Sequence, residues 1–472
     1  MYQRRYHGRH VSGLRPQHKG YFLERTNSLL TAPIGPKLAR MTGPMALGIV
    51  AILAFNLVDT FFIGLLGTEP LAAVTFTFPV TFVVTSLAMG LGAGLSASLG
   101  QALGAGQHGQ AARFTSNSLL LSLLLIAGLS GLGLASMDIL FALLGAGPEL
   151  IPLIKDYMVV WYAASPMLIV PMVCNAAIRA TGDTKTPGLV MLVAGLVNGV
   201  LDPLLIFGLG PFPALGIRGA AISSALSWLM AMVVALYLLQ HREQLLSWQP
   251  PAFRQMLAHW RQLLHVAIPA SFTSVLNPVA TALLMLLLAD FGNETVAAYG
   301  AASRIEAVVL IVMMALSSVL APFISQNTGA GQHERSRHGL LLAMRFALIF
   351  QLVVFMVLWL LAPRIAEWFT DSPDVSALLQ QYLRLVPLSY GLQGCFMLLG
   401  AALNGLRVSV ISLMLNGLRL FGLLLPLAWL GAGMAGAEGI FTGILLANLL
   451  AGTLACLYAW RRFPWRIRHP LS

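Results

Sequence analysis

Long hydrophobic runs recur along the chain beyond residue 40, and short polar segments separate them. One of the first, Pro44–Gly67, reads PMALGIVAILAFNLVDTFFIGLLG and contains a single charged residue, Asp59. A helix of about 20 apolar residues crosses the ~30 Å hydrocarbon core of a bilayer, because each residue adds about 1.5 Å. The pattern predicts 12 transmembrane helices, at roughly 43–66, 71–103, 117–137, 157–180, 187–210, 216–240, 263–289, 297–326, 340–362, 381–403, 408–430 and 434–460.

Composition supports an all-α membrane protein. Of the 472 residues, 58% are hydrophobic and only 10% are charged, whereas a soluble protein carries about 25% charged residues. The three cysteines, Cys174, Cys395 and Cys456, lie in apolar runs without paired spacing. We therefore expect buried small side chains rather than a disulfide framework or a metal site.

The basic residues are distributed unevenly between the two sides of the predicted membrane. Loops on the side of the N-terminus hold 22 of the 28 Lys and Arg residues, and the opposite loops hold four. The positive-inside rule then places both termini in the cytoplasm of a multi-pass protein of the bacterial inner membrane. The net charge of +11 is concentrated in these loops and in residues 1–40, which favours contact with anionic headgroups over nucleic-acid binding. An organellar targeting segment is the less favoured interpretation of that tail.

An internal repeat divides the spans into two halves. Gly67–Ala73 resembles Gly292–Ala298, and the segment GAGQH occurs at 104–108 and again at 329–333, both at a separation of 225 residues. Later in the halves, Asn198-Gly199 recurs as Asn416-Gly417. Six spans per half give both halves the same orientation. Parallel repeats of this kind are a transporter design with the cargo site between the halves.

This repeat sets the expected domain organisation as two pseudo-symmetric six-helix bundles around a central cleft. We expect a basic N-terminal tail at 1–40, a first lobe at 41–240 with helices 1–6, and a cytoplasmic linker at 241–262. A second lobe at 263–460 with helices 7–12 and a basic C-terminal tail at 461–472 complete the chain.

Two acids lie inside predicted spans of the first half. A carboxylate there costs about 2.5–3.5 kcal/mol on insertion scales, so Asp59 and Asp202 need a partner or a function. Each lies eight residues before a glycine at the outer end of its span, and the two therefore sit at equal depth. Asn198 shares a helical face with Asp202, four residues later. Two carboxylates in a dry pocket do not both ionise cheaply, so we expect the pair to share a proton and to form an ion-coupling site. Purely structural helix contacts are the alternative.

Five segments together resemble the multidrug and toxic compound extrusion (MATE) family. They are LVDTFFIGLLGTEPLAAV, GAGQH, AAIRATGDTKTP, LVNGVLDPLLIFGLG and SRIEAVVLIVMMALSSVLAPFISQNTGAGQ. An acid on the first helix with Asn and Asp on the fifth is similar to the DinF-like branch. The resemblance implies an H⁺ or Na⁺ site at Asp59, Asn198 and Asp202, a first helix that bends near Pro44, and export of organic cations or amphiphilic drugs by antiport with that ion.

Two departures from the family pattern bear on the coupling ion. Some relatives place a hydroxyl of the sixth helix in the cation site, whereas the region here reads Gly219-Ala220-Ala221-Ile222-Ser223-Ser224. This difference favours H⁺ over Na⁺. Other branches carry an acid on the seventh helix, but this span has none before Asp290. The first lobe is then expected to carry the coupling.

Several further residues are candidates for the cargo site. Asn175 is expected to face the first-lobe pocket, and Phe55, Phe62 and Met172 offer aromatic or pliable walls to a cationic drug. Helix packing is the alternative role for each. In the second lobe, Glu306 and Arg419 are expected to form a buried ion pair, with Glu306 as an extra proton or substrate site as the alternative.

Motifs of other function classes are missing from the sequence. GAGQH lacks the lysine of a phosphate-binding loop, and no His-Cys cluster or nucleophile elbow occurs. We expect neither an enzyme nor a resident cofactor or metal, but a monomeric transporter whose partners are small organic cations and membrane lipids. The alternative function is a flippase for lipids or lipid-linked oligosaccharides, although such proteins line the cleft with several cations and only Arg304 and Arg419 lie deep here.

Overall fold

The chain is almost entirely helical in a computed structural model that describes residues 28–249 and 252–461, and those ranges contain no β-strand. In the first lobe the helices are α1 (Ile34–Gly64), α2 (Thr68–Gly104), α3 (His108–Leu143), α4 (Ile151–Ala180), α5 (Lys185–Phe207) and α6 (Gly216–Tyr237), and α6 continues as a π-helical turn, Leu238–Arg242.

The second lobe has the same order of elements. Its helices are α7 (Phe253–Ala289), α8 (Asn293–Val309), α9 (Ile311–Gly329), α10 (His333–Phe369), α11 (Pro373–Leu385), α12 (Tyr390–Gly405), α13 (Ser409–Gly417) and α14 (Leu425–Arg461). A 3₁₀ turn, Val386–Ser389, joins α11 to α12, and a π-helical turn, Leu418–Leu424, joins α13 to α14. The pairs α8 with α9 and α11 with α12 each make one membrane crossing.

A sharp turn inside α14 separates the last two crossings. Gly436 has a positive φ of 58°, which glycine adopts without steric cost. A Cβ atom on Gly431 would lie 2.0 Å from the carbonyl oxygen of Gly439, so the two arms approach at backbone contact. Eleven helical stretches in the described residues are long and apolar enough to span a membrane, and the last of them, Ser409–Arg461, folds back at this turn. The prediction of twelve crossings is confirmed.

The helices extend beyond the predicted spans. α1 begins at Ile34, inside the segment expected as a tail, and α7 begins at Phe253, inside the expected linker. Hydropathy reports only the part of a helix that lies in lipid, and 37 residues of α7 amount to about 55 Å, well over the hydrocarbon thickness. Residues 1–27 and 462–472, which hold most of both expected tails, lie outside the described residues.

The packing of each lobe follows the internal repeat. In the first lobe α4 is central and contacts α2, α3 and α6, while α5 packs between α1 and α6. In the second lobe α12 takes the place of α4 and contacts α9, α10 and α14. The two bundles are thus the pseudo-symmetric halves that the repeat predicts.

The first halves of α1 and α7 are exchanged between the lobes. Leu38, Met41 and Met45 of α1 are buried in one apolar core with second-lobe residues such as Phe323. Reciprocally, Leu263 and Ala267 of α7 are buried in the core of the first lobe. Both exchanged segments lie toward the face at which α1 begins and α14 ends, which we name the terminal face; the opposite one is the far face.

Glycines close the interface between the lobes at the terminal face. A Cβ atom on Gly104 would lie 2.0 Å from the carbonyl oxygen of Gln326, and one on Gly329 would lie 2.1 Å from that of Gln101. These two contacts are equivalent under the 225-residue repeat. A Cβ on Gly94 would likewise lie 2.8 Å from the Leu263 oxygen. The lobes therefore touch at backbone distance near the terminal face.

The residues just before α1 dock on the second lobe as well. The side chain of Leu29 is fully buried. Its carbonyl oxygen accepts hydrogen bonds from Asn327 Nδ2 at 3.2 Å and from Arg335 Nε at 3.3 Å. Arg335 also donates to the carbonyl oxygen of Ala32. These hydrogen bonds attach the segment before α1 to the terminal face of the second lobe.

Candidate ion-coupling site and central cavity

A hydrogen-bonded network joins α5 to α6 in the interior of the first lobe. Asn198 and Asp202 lie one turn apart on α5, and both are 0% exposed. Asn198 Nδ2 donates to Asp202 Oδ1 at 3.2 Å and to Ser223 Oγ at 2.8 Å. Ser223 Oγ in turn donates to Asp202 Oδ1. Gly219 permits this arrangement, because a Cβ there would lie 2.3 Å from the Leu205 carbonyl oxygen and would push α6 away from α5.

Asp59 approaches this network from α1. Helices α1 and α5 meet at two glycines, since a Cβ on Gly48 would lie 2.9 Å from Gly188 Cα. Asp59 is close enough to Asp202 for their charges to interact, and Tyr157 of α4 lies within electrostatic range of both. The structure thus brings Asp59 and Asp202 together, as their equal depth in the predicted spans suggests.

Three buried oxygen atoms in this site have no hydrogen-bond partner among the residues that the structure describes. They are Asp59 Oδ1, Asn198 Oδ1 and Asp202 Oδ2. An unpaired buried polar atom is costly, so such atoms mark a place where a ligand or proton belongs. Two carboxylates and one amide oxygen form a donor set for a proton or for a small hard cation such as Na⁺.

A cavity of about 730 Å³ lies between the lobes. Its first-lobe wall includes four methionines, Met45, Met89, Met172 and Met191. Its second-lobe wall carries most of the polar groups of the cavity, among them Thr273, Asn277, Glu306, Tyr382, Gln393, Asn404, Asn416, Arg419 and Asn448. Asp59, Asn198 and Asp202 do not line it. The cavity and the ion site are therefore separate, although α1 and α5 contribute to both.

The charges in the cavity wall are few. Arg179 of the first lobe and Arg419 of the second lobe line the cavity, together with a single carboxylate, Glu306. Glu306 accepts hydrogen bonds from Tyr382 Oη at 3.1 Å and from Gln393 Nε2 at 2.9 Å. The wall therefore carries one more positive than negative group, and its carboxylate is held by neutral donors.

The expected ion pair between Glu306 and Arg419 is not formed among the described residues. Arg419 Nη2 donates to Asn448 Oδ1 at 3.1 Å, and the guanidinium lies 5.3 Å from the centre of the Phe396 ring. Each charged group is hydrogen-bonded to neutral partners instead, Glu306 to Tyr382 and Gln393 and Arg419 to Asn448. Arg304, the other deep cation of the sequence, has an exposed side chain and lies outside the cavity wall.

The two halves of the chain match one family model, MatE, at residues 44–204 and again at 269–430. The chain belongs to the MATE family. Both matches begin at a proline in the first helix of a lobe, so they reproduce the 225-residue repeat and confirm the resemblance of the sequence. The chain is accordingly a membrane transporter and not an enzyme.

Three relatives of this MATE transporter illustrate the range of the family. The "FAD transporter" of Shewanella oneidensis is 45% identical over 92% of this chain and 96% of that protein. The crystal structure of the Vibrio cholerae MATE transporter VcmN in the bent form matches with a TM-score of 0.86 at 33% identity, covering 92% of this chain and 97% of the other. A structure described as the outward-facing conformation of a multidrug resistance MATE family transporter matches with a TM-score of 0.85 at 27% identity, with the same coverage.

The expected cargo residues are dispersed over the first lobe of this MATE protein. Met172 lines the cavity. Phe55 faces α5 next to Gly195, and Phe62 packs edge-on against Phe207 with the ring centres 6.3 Å apart. Asn175 is buried and its Oδ1 has no partner, but it does not line the cavity. One of the four expected cargo residues therefore reaches the central cavity.

Pro44 lies inside α1, where the helix passes the start of α5. A Cβ on Gly188 would lie 2.6 Å from the carbonyl oxygen of Pro44, so the proline sits at a close helix crossing. The helix is continuous from Ile34 to Gly64 in this state. A bend at Pro44 stays a prediction for another state of the transporter.

Two residues of the ion site were missed from the sequence. The inference that α6 brings no hydroxyl is wrong, because Ser223 contacts both Asn198 and Asp202. Gly219 fixes which face of α6 meets α5, and Ser223 follows one turn later on that face. The argument for H⁺ over Na⁺ that rested on a missing hydroxyl therefore no longer holds. The sequence does not predict that Tyr157 lies near the ion site, because it shows only a tyrosine within an apolar run.

Proposed function

We propose that this MATE protein is a secondary active exporter of a flavin nucleotide, FAD, driven by inward movement of H⁺ or Na⁺ through the first-lobe site. The relative named FAD transporter supports the cargo, since 45% identity extends over nearly the full length of both chains. Assignment to the DinF-like branch is part of the same proposal. It rests on the acid of the first helix and the Asn and Asp of the fifth.

The observation that carries the proposal is the chemistry of the cavity wall. FAD has an anionic diphosphate, two flat ring systems and a chain of hydroxyl groups. The wall offers two arginines against one carboxylate, with amides and tyrosines beside them. Pockets for small molecules span about 300–1,000 Å³, and the cavity of about 730 Å³ lies in the upper part of that range.

Coupling follows from the two helices, α1 and α5, that the ion site and the cavity share. A cation at Asp59 and Asp202 changes the charge and hydrogen bonding between α1 and α5, and the same helices carry Met45 and Met191 of the cavity wall. Each charge moving down the membrane potential supplies about 2.3 kcal/mol per 100 mV. An anionic cargo leaving a negative interior gains from the same potential, so both movements bias the transport cycle toward export.

The state of the lobes fits the release step of that cycle. With both termini in the cytoplasm, as the distribution of Lys and Arg predicts, the glycine contacts seal the cytoplasmic side. The cavity then lies on the outward side of the seal. Alternating access requires these contacts to open while the far face closes.

Export of cationic drugs is a second candidate, favoured by the four methionines of the first-lobe wall. Methionine adapts to many shapes and suits broad specificity. A lipid or lipid-linked oligosaccharide flippase is less favoured, because only two cations line the cavity. The charge of the cargo distinguishes FAD export from drug export, because FAD is an anion and the expected drugs are cations.

The test is flavin uptake by everted membrane vesicles that contain the protein, with FAD, ethidium and a fluorescent lipid supplied in parallel. We expect FAD accumulation that needs an imposed H⁺ or Na⁺ gradient and is lost in both Asp59→Asn and Asp202→Asn. Asp290→Asn removes an exposed carboxylate at the end of α7 and serves as the matched control. Accumulation of ethidium without FAD would reject the flavin cargo, and unchanged FAD uptake in the two Asn variants would reject the ion site.

A further inference from the structure

Arg419 is a partly buried cation, and none of the carboxylates in the described part of the chain forms a salt bridge with it. We propose that its guanidinium binds the diphosphate group of the cargo, an inference that rests on the proposed flavin nucleotide function. No salt bridge to Arg419 occurs among the described residues, and its Nε is buried without a hydrogen-bond partner. A charge that is partly removed from water without a counter-ion is costly. An anionic ligand in the adjoining cavity offsets that cost.

The surroundings of Arg419 hold the guanidinium in place and leave part of it free. Asn448, which is 4% exposed, accepts the Nη2 hydrogen bond at 3.1 Å and donates its own amide to Ser389 Oγ at 3.3 Å. Phe396 lies against the guanidinium. One N–H is thus used by Asn448, and the guanidinium keeps further N–H donors of the kind that pair with phosphate oxygens.

Glu306, the carboxylate of the cavity wall, does not form an ion pair with Arg419 and so leaves the guanidinium available to an anionic cargo. Glu306 lines the same cavity as Arg419, but Tyr382 and Gln393 donate hydrogen bonds to its two carboxylate oxygens. An ion pair with Glu306 would cancel the attraction for an anion. Because Glu306 and Arg419 stay apart, the part of the cavity wall at Arg419 keeps its positive charge.

The internal repeat gives the same assignment from another direction. Asn198 in the first lobe corresponds to Asn416 in the second. Asp202 follows Asn198 by one turn, whereas Arg419 follows Asn416 by three residues. The repeat thus places a carboxylate shortly after the matched asparagine in the first lobe and a guanidinium in the second. This exchange of charge is consistent with a cation site in the first lobe and an anion site at Arg419.

The experiment titrates the purified full-length transporter in nanodiscs with FAD and, separately, with riboflavin and with adenosine, which are the two parts of FAD without its phosphates. We expect Arg419→Gln to lower the affinity for FAD at least about tenfold, the size of one charge-assisted hydrogen bond, and to change the affinities for riboflavin and adenosine less than about threefold. Arg419→Lys keeps the charge and is expected to retain part of the preference for FAD. This variant decides the matter if Arg419→Gln does not fold.

Arg304→Gln is the matched control, since it removes an exposed second-lobe cation outside the cavity wall, and we expect all three affinities to stay unchanged. Equal losses for FAD and for either riboflavin or adenosine in Arg419→Gln, or no loss at all, would overturn the role of Arg419. If the wild-type protein binds FAD in that case, the proposed function survives and only this inference fails. A wild-type protein that binds neither flavin overturns both.

Discussion

Replacing Gly104 by alanine is expected to shift the protein away from the state described. The added methyl would lie 2.0 Å from the Gln326 carbonyl oxygen, whereas an ordinary contact is 3.4–4 Å. The lobes must therefore separate locally by about 1.4 Å, and overpacking of this kind costs about 1–3 kcal/mol. In a state with the terminal face open, the methyl meets no such contact. The equilibrium between the two states should change by a factor of about 5–150.

The repeat supplies a second variant with the same expected effect. Gly329→Ala places its methyl 2.1 Å from the Gln101 carbonyl oxygen, so it should match Gly104→Ala in size. Gly109→Ala is the control, because a Cβ there meets nothing within 4 Å. All three changes remove a glycine near the terminal face, so a general effect of alanine on helix stability would appear in all of them.

Spin labels across the far face provide the measurement. Glu69→Cys and Glu294→Cys place labels at exposed, repeat-related positions at the starts of α2 and α8, in a protein whose native cysteines are replaced. Pulsed electron resonance should show a larger population at short distance in Gly104→Ala and Gly329→Ala than in Gly109→Ala. Identical distance distributions in all three folded variants would refute the reasoning that these contacts hold the lobes together.

Two further substitutions test the ion site and the cavity, and a third tests a salt bridge outside them. Ser223→Ala removes a hydroxyl that contacts both Asn198 and Asp202, so half-maximal transport should require a higher concentration of the coupling ion; an unchanged ion dependence contradicts this. Glu306→Gln removes the carboxylate of the cavity, which should raise the affinity for FAD and lower that for ethidium in direct binding; the opposite order would exclude an anionic cargo. Arg242→Ala removes a 2.6 Å salt bridge to the buried Asp183, which should cost about 3 kcal/mol of stability and lower the melting temperature, whereas the exposed Arg254→Ala should not.

Much of the architecture is predictable from the sequence because the bilayer imposes it. Apolar runs report the crossings, and the repeat at 225 residues reports the two bundles. The pairing of Asp59 with Asp202 is predictable from equal helical depth, and that of Asn198 with Asp202 from the four-residue spacing on one helix. These inferences need only the period and the rise of a helix.

The rest depends on how helices rotate against one another. Ser223 enters the ion site because close packing at Gly219 selects the face of α6 that meets α5, and a hydropathy pattern does not encode that choice. Arg419 lies in a π-helical turn, Leu418–Leu424, and its neighbour is Asn448 rather than the only carboxylate of the cavity. Neither the turn nor this neighbour follows from spacing along the chain.

The exchange of the first halves of α1 and α7 affects how the protein can be divided. A fragment ending near residue 250 would contain the whole first repeat but would lack Leu263 and Ala267 of its own interior. The remaining fragment would in turn lack Leu38 and Met41. Although the sequence duplicates, neither repeat is then a self-sufficient folding unit. The two fragments should acquire stable structure only when produced together in one membrane.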